Sequence, residues 1–332
     1  MKTNSPKAQP DKLNIALWGL GRHALKNILP AIRNCREVAL VGVYSRNPTV
    51  RNSTVEEYGC AAFLSEEAML CDPRVGAVYL ATPIGLHFEQ GMRVLQNKRH
   101  LLCEKSLTDD YQKSDQLIAV ARRYQLVLCE TFMYRFHPRF AALSNIVKSR
   151  SFGKIVSVSS SFYIPTLENP GFRLSSDLGG GAFLDVACYP ISLIRAIGDP
   201  VSVLSARRSI AQGSKVDTTG NAVLALRDGG HSFSEWGYGA AYKNDVTVLG
   251  ENQSVFVEHI FSKDGSRCST LILRDGNGLE HRVEVESADG FVHMLAFVAQ
   301  ATRSPEMREN LSKEAADQAR LMDEIRKQMQ RE

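Results

Sequence analysis

The sequence predicts an α/β protein in which a doubly wound parallel sheet is followed by an α+β domain with a large, mostly antiparallel open sheet. Three observations support this prediction. An apolar strand runs into a glycine turn and a helix at residues 12–24, strand and helix patterns then alternate as far as residue 131, and short runs of alternating apolar and polar residues follow Gly153. The 332 residues are enough for two domains, which we place at 1–130 and 131–332.

The segment KLNIALWGLGRHA at residues 12–24 has the features of a phosphate-binding turn. Gly19 permits a tight turn and Gly21 lets the backbone approach a pyrophosphate, while Ala24 stands where the usual third glycine keeps helix and strand close. The helix amides that begin near Arg22 can then face the phosphates, so the turn predicts a Rossmann dinucleotide site. The predicted cofactor contacts in this turn are Gly19, Leu20, Gly21, Arg22 and His23.

Alternating patterns continue along the chain. Further strands are predicted at 37–45, 61–64, 77–82, 100–105 and 126–131, and helices at 50–59, 65–70, 85–97 and 108–125, the last capped by Thr108. Six βα units imply a parallel sheet whose ligands lie at the carboxyl ends of the strands. In the second half, strands are predicted near 155–162 and at 201–210, 221–227, 230–238, 244–250, 253–260, 269–274 and 279–286, and helices at 179–197 and 291–332.

The end of the second strand predicts which dinucleotide binds. An acidic residue at this point would accept hydrogen bonds from the ribose hydroxyls, but the chain has Ser45 and Arg46. A hydroxyl followed by a guanidinium suits a 2′-phosphate, because arginine offers charged hydrogen bonds where aspartate would repel. The pattern therefore favours NADP(H) over NAD(H), the alternative being that Arg46 is a solvated surface arginine.

Composition argues against several classes of protein. The net charge of +4 is spread over the chain without a basic block, which argues against nucleic-acid binding. We expect a disordered polar tail at residues 1–12, no signal peptide, no membrane span and a cytoplasmic location. The seven cysteines are widely spaced without a C-x-x-C pair, which indicates reduced, buried thiols, and the eight scattered histidines give no metal-ligand spacing.

Five motifs together resemble those of the glucose-fructose oxidoreductase / inositol 2-dehydrogenase (Gfo/Idh/MocA) family. They are GLGRHA at 19–24, Thr82-Pro83 with His87, Glu104-Lys105, MYRFHP at 133–138 and GGGAFLDVACY at 179–189. Within the family the chain looks closest to NADPH-dependent 3-ketoreductases of nucleotide-linked deoxysugars, which share the segment with Phe162, Ile164 and Pro165 and the later Tyr242 and Asn244. Dihydrodiol and xylose dehydrogenases carry similar motifs.

The resemblance implies roles for individual residues. Thr82, Pro83, His87 and Glu104 would lie along the cofactor, and Lys105 beside the nicotinamide. Ser106 replaces the proline of the family's Glu-Lys-Pro motif. The resemblance therefore does not decide the conformation of the turn that positions the lysine. Asp185 and Tyr189 match the family's Asp-x-x-x-His/Tyr pair, and their i, i+4 spacing puts both on one helix face.

Ketone reduction needs a hydride donor, a proton donor at the carbonyl oxygen and positive charge beside it. Tyr189 and Lys105 fit the last two roles, and a nearby ammonium is expected to bring the pKa of Tyr189 closer to a useful range. Asp185 would hold either Lys105 or a substrate hydroxyl. The remaining candidates for substrate binding are Tyr163, Arg173, His137 and Tyr242, with Arg173 suited to a diphosphate.

Three functions stay open on the sequence. The first is NADP(H)-dependent reduction of a keto group on a nucleotide-linked sugar, and the second is oxidation of a free sugar, inositol or trans-dihydrodiol by the same residues. The third is a catalytically inactive, cofactor-sensing regulator. The broad sheet predicts a homodimer or homotetramer, because large apolar sheet faces are rarely left in water.

Overall fold

The computed structural model describes residues 12–166, 168–261 and 268–331 of the chain. The tail predicted to be disordered lies outside the described residues except for Lys12. Two sheets organise the described chain, one of six strands and one of eight. The predicted fold class is confirmed.

The six-stranded sheet is parallel, with the strand order β3-β2-β1-β4-β5-β6 of a doubly wound fold. Its strands are β1 (Leu13–Trp18), β2 (Val38–Tyr44), β3 (Ala61–Ala62), β4 (Ala77–Leu80), β5 (His100–Cys103) and β6 (Leu128–Glu130). The helices between them are α1 (Leu29–Asn34, preceded by a π-helical turn, Ala24–Ile28), α2 (Pro48–Tyr58), α3 (Glu66–Cys71), α4 (His87–Gln96) and α5 (Tyr111–Arg123). β4 is buried throughout and β1 is buried from Ile15 to Trp18, which is why both appear in the sequence as apolar runs.

The N-cap of helix α5 lies two residues later than predicted, at Asp110 rather than Thr108. The Asp110 carboxylate, not the Thr108 hydroxyl, accepts hydrogen bonds from the amides of Gln112 and Lys113, at 2.8 and 3.2 Å. Thr108 instead bonds to the Asp110 carbonyl and to the hydroxyl of Ser114. The prediction of a Thr108 cap was therefore wrong. An N-cap side chain accepts from the amides two and three residues after it, and in α5 these amides follow Asp110.

The eight-stranded sheet follows helix α6 (Pro138–Val147) and has the order β14-β13-β12-β11-β7-β10-β9-β8. Its strands are β7 (Ile155–Ile164), β8 (Pro200–Ser209), β9 (Thr219–Leu226), β10 (His231–Tyr238), β11 (Lys243–Gly250), β12 (Gln253–Glu258), β13 (Ser269–Asp275) and β14 (Glu280–Val285). β7 and β10 run parallel and the other neighbours antiparallel. Helix α7 (Cys188–Gly198) and the π-helical turn before it, Phe183–Ala187, cover the inner face of β7 and β10.

The segment around α7 has an unexpected property. Ser176–Gly198 is long and apolar enough, by length and composition, to cross a membrane, although no such stretch was expected from the sequence. However, 83% of its apolar window is buried inside the protein, and a core helix passes the same test. This segment therefore forms the helical core of the second half.

The helical end of the chain divides into two helices. α8 (Gly290–Ala301) is separated by a short turn from α9 (Pro305–Arg331), which begins with the helix-starting proline. α9 packs on α7 and β8 and also on α5 and β6 of the first sheet. Arg122 binds Glu309 of α9, at 2.6 Å, so the end of the chain ties the two halves together.

Gly19 and Gly21 give a matched test of the first turn. Gly19 has φ +103°, and a Cβ there would lie 2.7 Å from the Ala81 carbonyl oxygen. We expect Gly19→Ala to lower the free energy of unfolding by about 1–3 kcal/mol, because a strained backbone conformation costs that much. At Gly21 a Cβ would meet nothing within 4 Å, so Gly21→Ala should change the free energy of unfolding by less than about 0.5 kcal/mol. Urea denaturation measures both, and equal losses would contradict the steric argument.

Candidate active site

The glycine turn has the geometry that a dinucleotide needs. The Gly19 amide donates to the Tyr44 carbonyl at 3.0 Å, which fixes the end of β1 beside the end of β2. The space beside Gly21 is open, and helical structure begins at Arg22 with the bond from the Leu25 amide to the Gly21 carbonyl. The first amides of a helix have no intrahelical acceptor. A diphosphate can therefore approach the backbone here, and the chain fits a dinucleotide cofactor at this point.

Ser45 and Arg46 lie directly after β2, where the far ribose of such a cofactor would be. The Arg46 side chain is exposed, and the Ser45 hydroxyl accepts the Asn47 amide at 3.2 Å. Arg51 also belongs to this corner, since its Nη1 donates to the Ser45 carbonyl at 3.1 Å while its Nε is buried with no hydrogen-bond partner in the described chain. Arg51 was not predicted because it lies inside α2, one turn beyond the loop.

Glu104 anchors the floor of the cleft. It accepts hydrogen bonds from the Tyr79 hydroxyl at 2.7 Å and from His23 Nε2 at 3.1 Å, which joins β4, β5 and the helix after the glycine turn. Burial by itself would raise the pKa of Glu104, but His23 and Tyr79 lower it to about 2. Glu104 is therefore an ionised anchor, and both Glu104 and His23 line the cavity described below.

Asp185 holds two cationic side chains at once. Lys105 Nζ donates to its Oδ1 at 2.9 Å and to its backbone carbonyl at 2.5 Å, and Arg173 Nε donates to Oδ2 at 2.7 Å. The Tyr238 hydroxyl also lies 3.1 Å from Oδ2. Burial alone would raise the pKa of Asp185, but Lys105 and Arg173 hold it well below its usual range. Asp185 therefore positions Lys105, and its acceptor sites are largely filled before any substrate arrives.

Tyr189 lies one helical turn after Asp185 and close to Lys105. Its ring centroid is 5.1 Å from Lys105 Nζ, and its side chain lies against Phe132 and Phe162. Burial raises the pKa of Tyr189, and the lowering by Lys105 does not offset this. The expectation that the ammonium brings this pKa closer to a useful range was wrong on balance. At neutral pH the hydroxyl is protonated, as a proton donor must be.

A cavity of about 340 Å³ lies between the carboxyl ends of β1, β4 and β5 and the segment from β7 to α7. Lys105, Asp185 and Tyr189 share its wall with Thr82 and Glu104 from the first sheet. From the second half it is lined by Phe162, Ile164, Phe172, Arg173, Val186, Tyr242 and Phe261. The cavity thus brings the predicted catalytic residues to the edge where a nicotinamide would end.

Two predicted substrate residues lie elsewhere. Tyr163 points to the opposite face of the sheet from Phe162 and Ile164, because side chains alternate along β7, and it lies beside Glu235 and Lys243. His137 caps α6, its Nδ1 accepting the Arg139 amide at 3.0 Å, and burial lowers its pKa to about 4. Neither residue reaches the cavity, so their prediction as substrate contacts is corrected.

His87 and Ser106 support the cleft from behind. His87 is fully buried and outside the cavity lining, with Nε2 2.8 Å from the Thr82 carbonyl and Nδ1 3.0 Å from the Ser106 carbonyl. Pro83 starts the short helical turn before α4. The Lys105–Ser106 peptide is cis, and the Ser106 hydroxyl donates to the Leu184 carbonyl at 2.9 Å. His87 and Ser106 therefore support the cavity by bonding to backbone carbonyls and do not line it themselves.

Tyr238 is another residue that was not assigned to the site from the sequence. It is one of several aromatic residues on the strands, and its bond to Asp185 joins positions 53 residues apart. Cysteines also departed from expectation, because Cys71 and Cys268 are exposed rather than buried. In the described part of the chain, no three His, Cys, Asp or Glu side chains are grouped closely enough to hold a metal ion.

The chain is similar to known proteins over most of its length. Residues 13–132 match the model of the oxidoreductase family with an NAD-binding Rossmann fold, and residues 140–256 match the GFO/IDH/MocA C-terminal domain. The dTDP-3,4-didehydro-2,6-dideoxy-alpha-D-glucose 3-reductase of Saccharopolyspora spinosa is 30% identical over 75% of this chain and 76% of its own length. The D-xylose 1-dehydrogenase (NADP(+)) 2 of Haloferax volcanii is 32% identical over 64% of this chain and 66% of its own length.

Among solved structures, the 3-ketoreductase KijD10 of Actinomadura kijaniata, in complex with NADP and TDP-benzene, superposes with a TM-score of 0.91. The two chains are 27% identical, and the match covers 96% of this chain and 98% of KijD10. Together with the matched domain models, which span most of the chain, these similarities mean that the protein belongs to the Gfo/Idh/MocA family of oxidoreductases.

Proposed function

We propose that the protein is an NADP(H)-dependent oxidoreductase that reduces a keto group of a nucleotide-linked sugar, most specifically a dTDP-type keto-deoxysugar. The observation that carries the proposal is the grouping of Lys105, Asp185 and Tyr189 on one cavity wall, at the carboxyl ends of β1, β4 and β5. The named activities of the 3-reductase relatives support the choice of substrate. NADPH, when bound, supplies the hydride.

The chain's own residues supply the proton and the charge. Two of the three Lys105 ammonium protons are held by Asp185, which leaves one to polarise the substrate carbonyl. The Tyr189 hydroxyl, kept protonated by burial, donates the proton to the oxygen that becomes an alkoxide. Asp185 keeps the ammonium oriented, and the apolar rings of Phe162 and Phe261 limit water around the reacting carbon.

Arg173 supports a substrate with an anionic part. Its Nε is bound to Asp185, and its side chain is 36% exposed and lines the cavity. Among the described residues its terminal nitrogens have no hydrogen-bond acceptor, so they can meet a diphosphate. Tyr242 lies at the same opening, with its hydroxyl fixed at 3.1 Å from Asn244 Nδ2 and its ring stacked on His259. The alternative, oxidation of a free sugar or diol, would use the same catalytic residues without needing Arg173.

The two halves are proposed to divide the work, with residues 1–130 binding the dinucleotide and 131–332 binding the substrate and assembling the oligomer. The outer face of the eight-stranded sheet supports a homodimer or homotetramer, because Phe233 and Leu249 are 38% and 44% exposed there, on strands that flank β7. The free state of the seven cysteines supports a cytoplasmic location.

Replacing Arg46 tests the choice of cofactor. We expect NADPH to bind more tightly than NADH, and Arg46→Ala to cost about 1.5–3 kcal/mol of NADPH binding, the strength of a charged hydrogen bond. Titration calorimetry on the wild type and the variant measures both. NADH affinity serves as the internal control, since NADH lacks the 2′-phosphate. An equal loss for both cofactors would show that Arg46 acts on the fold of the loop instead.

Replacing Lys105 and Tyr189 tests the chemistry. Lys105→Ala should reduce kcat by about 10²–10³-fold, because it removes charge at the developing alkoxide. The fold should survive, since Asp185 keeps Arg173 and Tyr238 as partners. Tyr189→Phe should reduce kcat by about 10²–10⁴-fold through loss of the proton donor. NADPH consumption with a dTDP-linked keto-deoxysugar measures both effects.

Tyr163→Phe is the matched control for the tyrosine variant, because Tyr163 lies on the far face of the sheet. Its kcat should stay close to that of the wild type. If Tyr189→Phe behaves like this control, Tyr189 is not the proton donor. If the wild type binds NADPH but does not consume it with any keto sugar, the regulatory alternative replaces the enzymatic one.

A further inference from the structure

A second cavity, of about 240 Å³, lies behind the candidate active site. It is enclosed by the end of β6 and the turn after it, together with α7, α8 and α9, and shares no lining residue with the active-site cavity. Phe132 separates the two spaces, because it lines the second cavity while its ring contacts Tyr189 at a centroid distance of 5.7 Å. The proposed reaction does not use this space.

One side of the second cavity is aromatic. Phe136 and Phe297 contact each other there at a centroid distance of 5.2 Å, and Phe140 and Leu311 continue the same wall. Aromatic faces and edges favour a flat apolar body over a hydrated ion. This wall therefore selects a ligand with a ring or a compact apolar group.

The opposite side is cationic. Arg135 and Arg195 both bind the single carboxylate of Glu314, and Arg195 Nε also donates to Gln318 Oε1 at 3.3 Å. Their side chains are only 23% and 11% exposed. Each guanidinium has five N–H donors, so most of these donors have no protein partner among the described residues. Two cations that share one anion leave a net positive charge at this end.

Glu130 is the remaining ionisable group that decides the charge of the cavity. Its Oε1 accepts the Leu107 amide at 2.9 Å, and burial raises the pKa of Glu130 to about 7. It faces Arg135, Arg195, Glu314 and the thiol of Cys129, with Lys105 on the active-site side. The pKa of Cys129 is raised to about 12 by burial, so this thiol is neutral. Below pH 7 Glu130 is largely neutral and the net positive charge is unopposed.

We propose that the cavity between Arg135, Arg195 and the phenylalanine wall is a binding site for a small organic carboxylate with an aromatic or compact apolar body. The carboxylate would accept the free N–H donors of the two guanidinium groups in a bidentate manner, and the apolar body would lie against Phe136, Phe140 and Phe297. This site assigns a role to Arg135 of the MYRFHP segment, which the proposed reaction leaves unused.

Calorimetry on the full chain tests the proposal, with benzoate as the probe and benzyl alcohol as its neutral counterpart. Benzoate should bind with a stoichiometry of one, and benzyl alcohol about tenfold more weakly or not at all. Arg135→Met should reduce benzoate affinity by at least about tenfold. This variant should fold, because Glu314 keeps Arg195 as a partner. Leu311→Trp, which fills the cavity without changing its charge, should also abolish binding.

Arg173→Met is the matched control, because it removes an arginine from the other cavity. It should leave benzoate affinity unchanged if the probe occupies the second cavity. Benzoate should also bind severalfold more tightly at pH 6 than at pH 8, and Glu130→Gln should remove this difference. Absence of binding at millimolar benzoate, or binding lost in Arg173→Met but kept in Arg135→Met, would overturn the proposal. Neither result depends on enzymatic activity, so the proposed reaction is tested separately.

Discussion

The buried carboxylate of Asp185 is the contact on which the candidate site depends. Transfer of a carboxylate into the interior is costly, and Lys105, Arg173 and Tyr238 compensate for it with three hydrogen-bonded contacts. Lys105 follows β5, Arg173 lies in the short helical turn Gly171–Leu174, and Tyr238 ends β10, so one side chain joins both sheets across the cleft. The network therefore fixes the relative position of the two halves as well as the orientation of the ammonium.

Local signals in the sequence were enough to predict the elements that form the cleft. The positive φ of Gly19, the open space at Gly21 and the buried strands β1 and β4 follow from patterns within a few residues. The wrong predictions, for Tyr163 and His137, concern positions whose adjacent residues already indicate a different placement. Strand alternation could have excluded Tyr163, since Phe162 and Ile164 on either side face the cavity. Similarly, the proline after His137 marks a helix start, and His137 is its cap.

Long-range contacts could not be predicted in this way. The sequence left open whether Asp185 holds Lys105 or a substrate hydroxyl, and only the fold brings Arg173 and Tyr238 to the same carboxylate. The protonation of Tyr189 is similar, because two opposing effects act on its pKa. A nearby ammonium lowers the pKa, but the degree of burial depends on Phe132 and Phe162, which lie 57 and 27 residues away along the chain. Burial has the larger effect on the pKa of Tyr189, and its extent could not be predicted from the residues near Tyr189 in the chain.

Helix α7 contributes side chains to both cavities, because residues on different sides of one helix face different spaces. Tyr189, in the first turn of the helix, lines the active-site cavity, and Arg195, less than two turns later, lines the second cavity. The helix is buried along most of its length, and rigid packing of this kind transmits small displacements rather than absorbing them. Glu314 of α9 holds Arg195, and Gln318 donates to the Cys188 carbonyl beside Tyr189, at 3.2 Å. Helix α9 thus contacts α7 near both residues, so the same pair of packed helices borders both cavities.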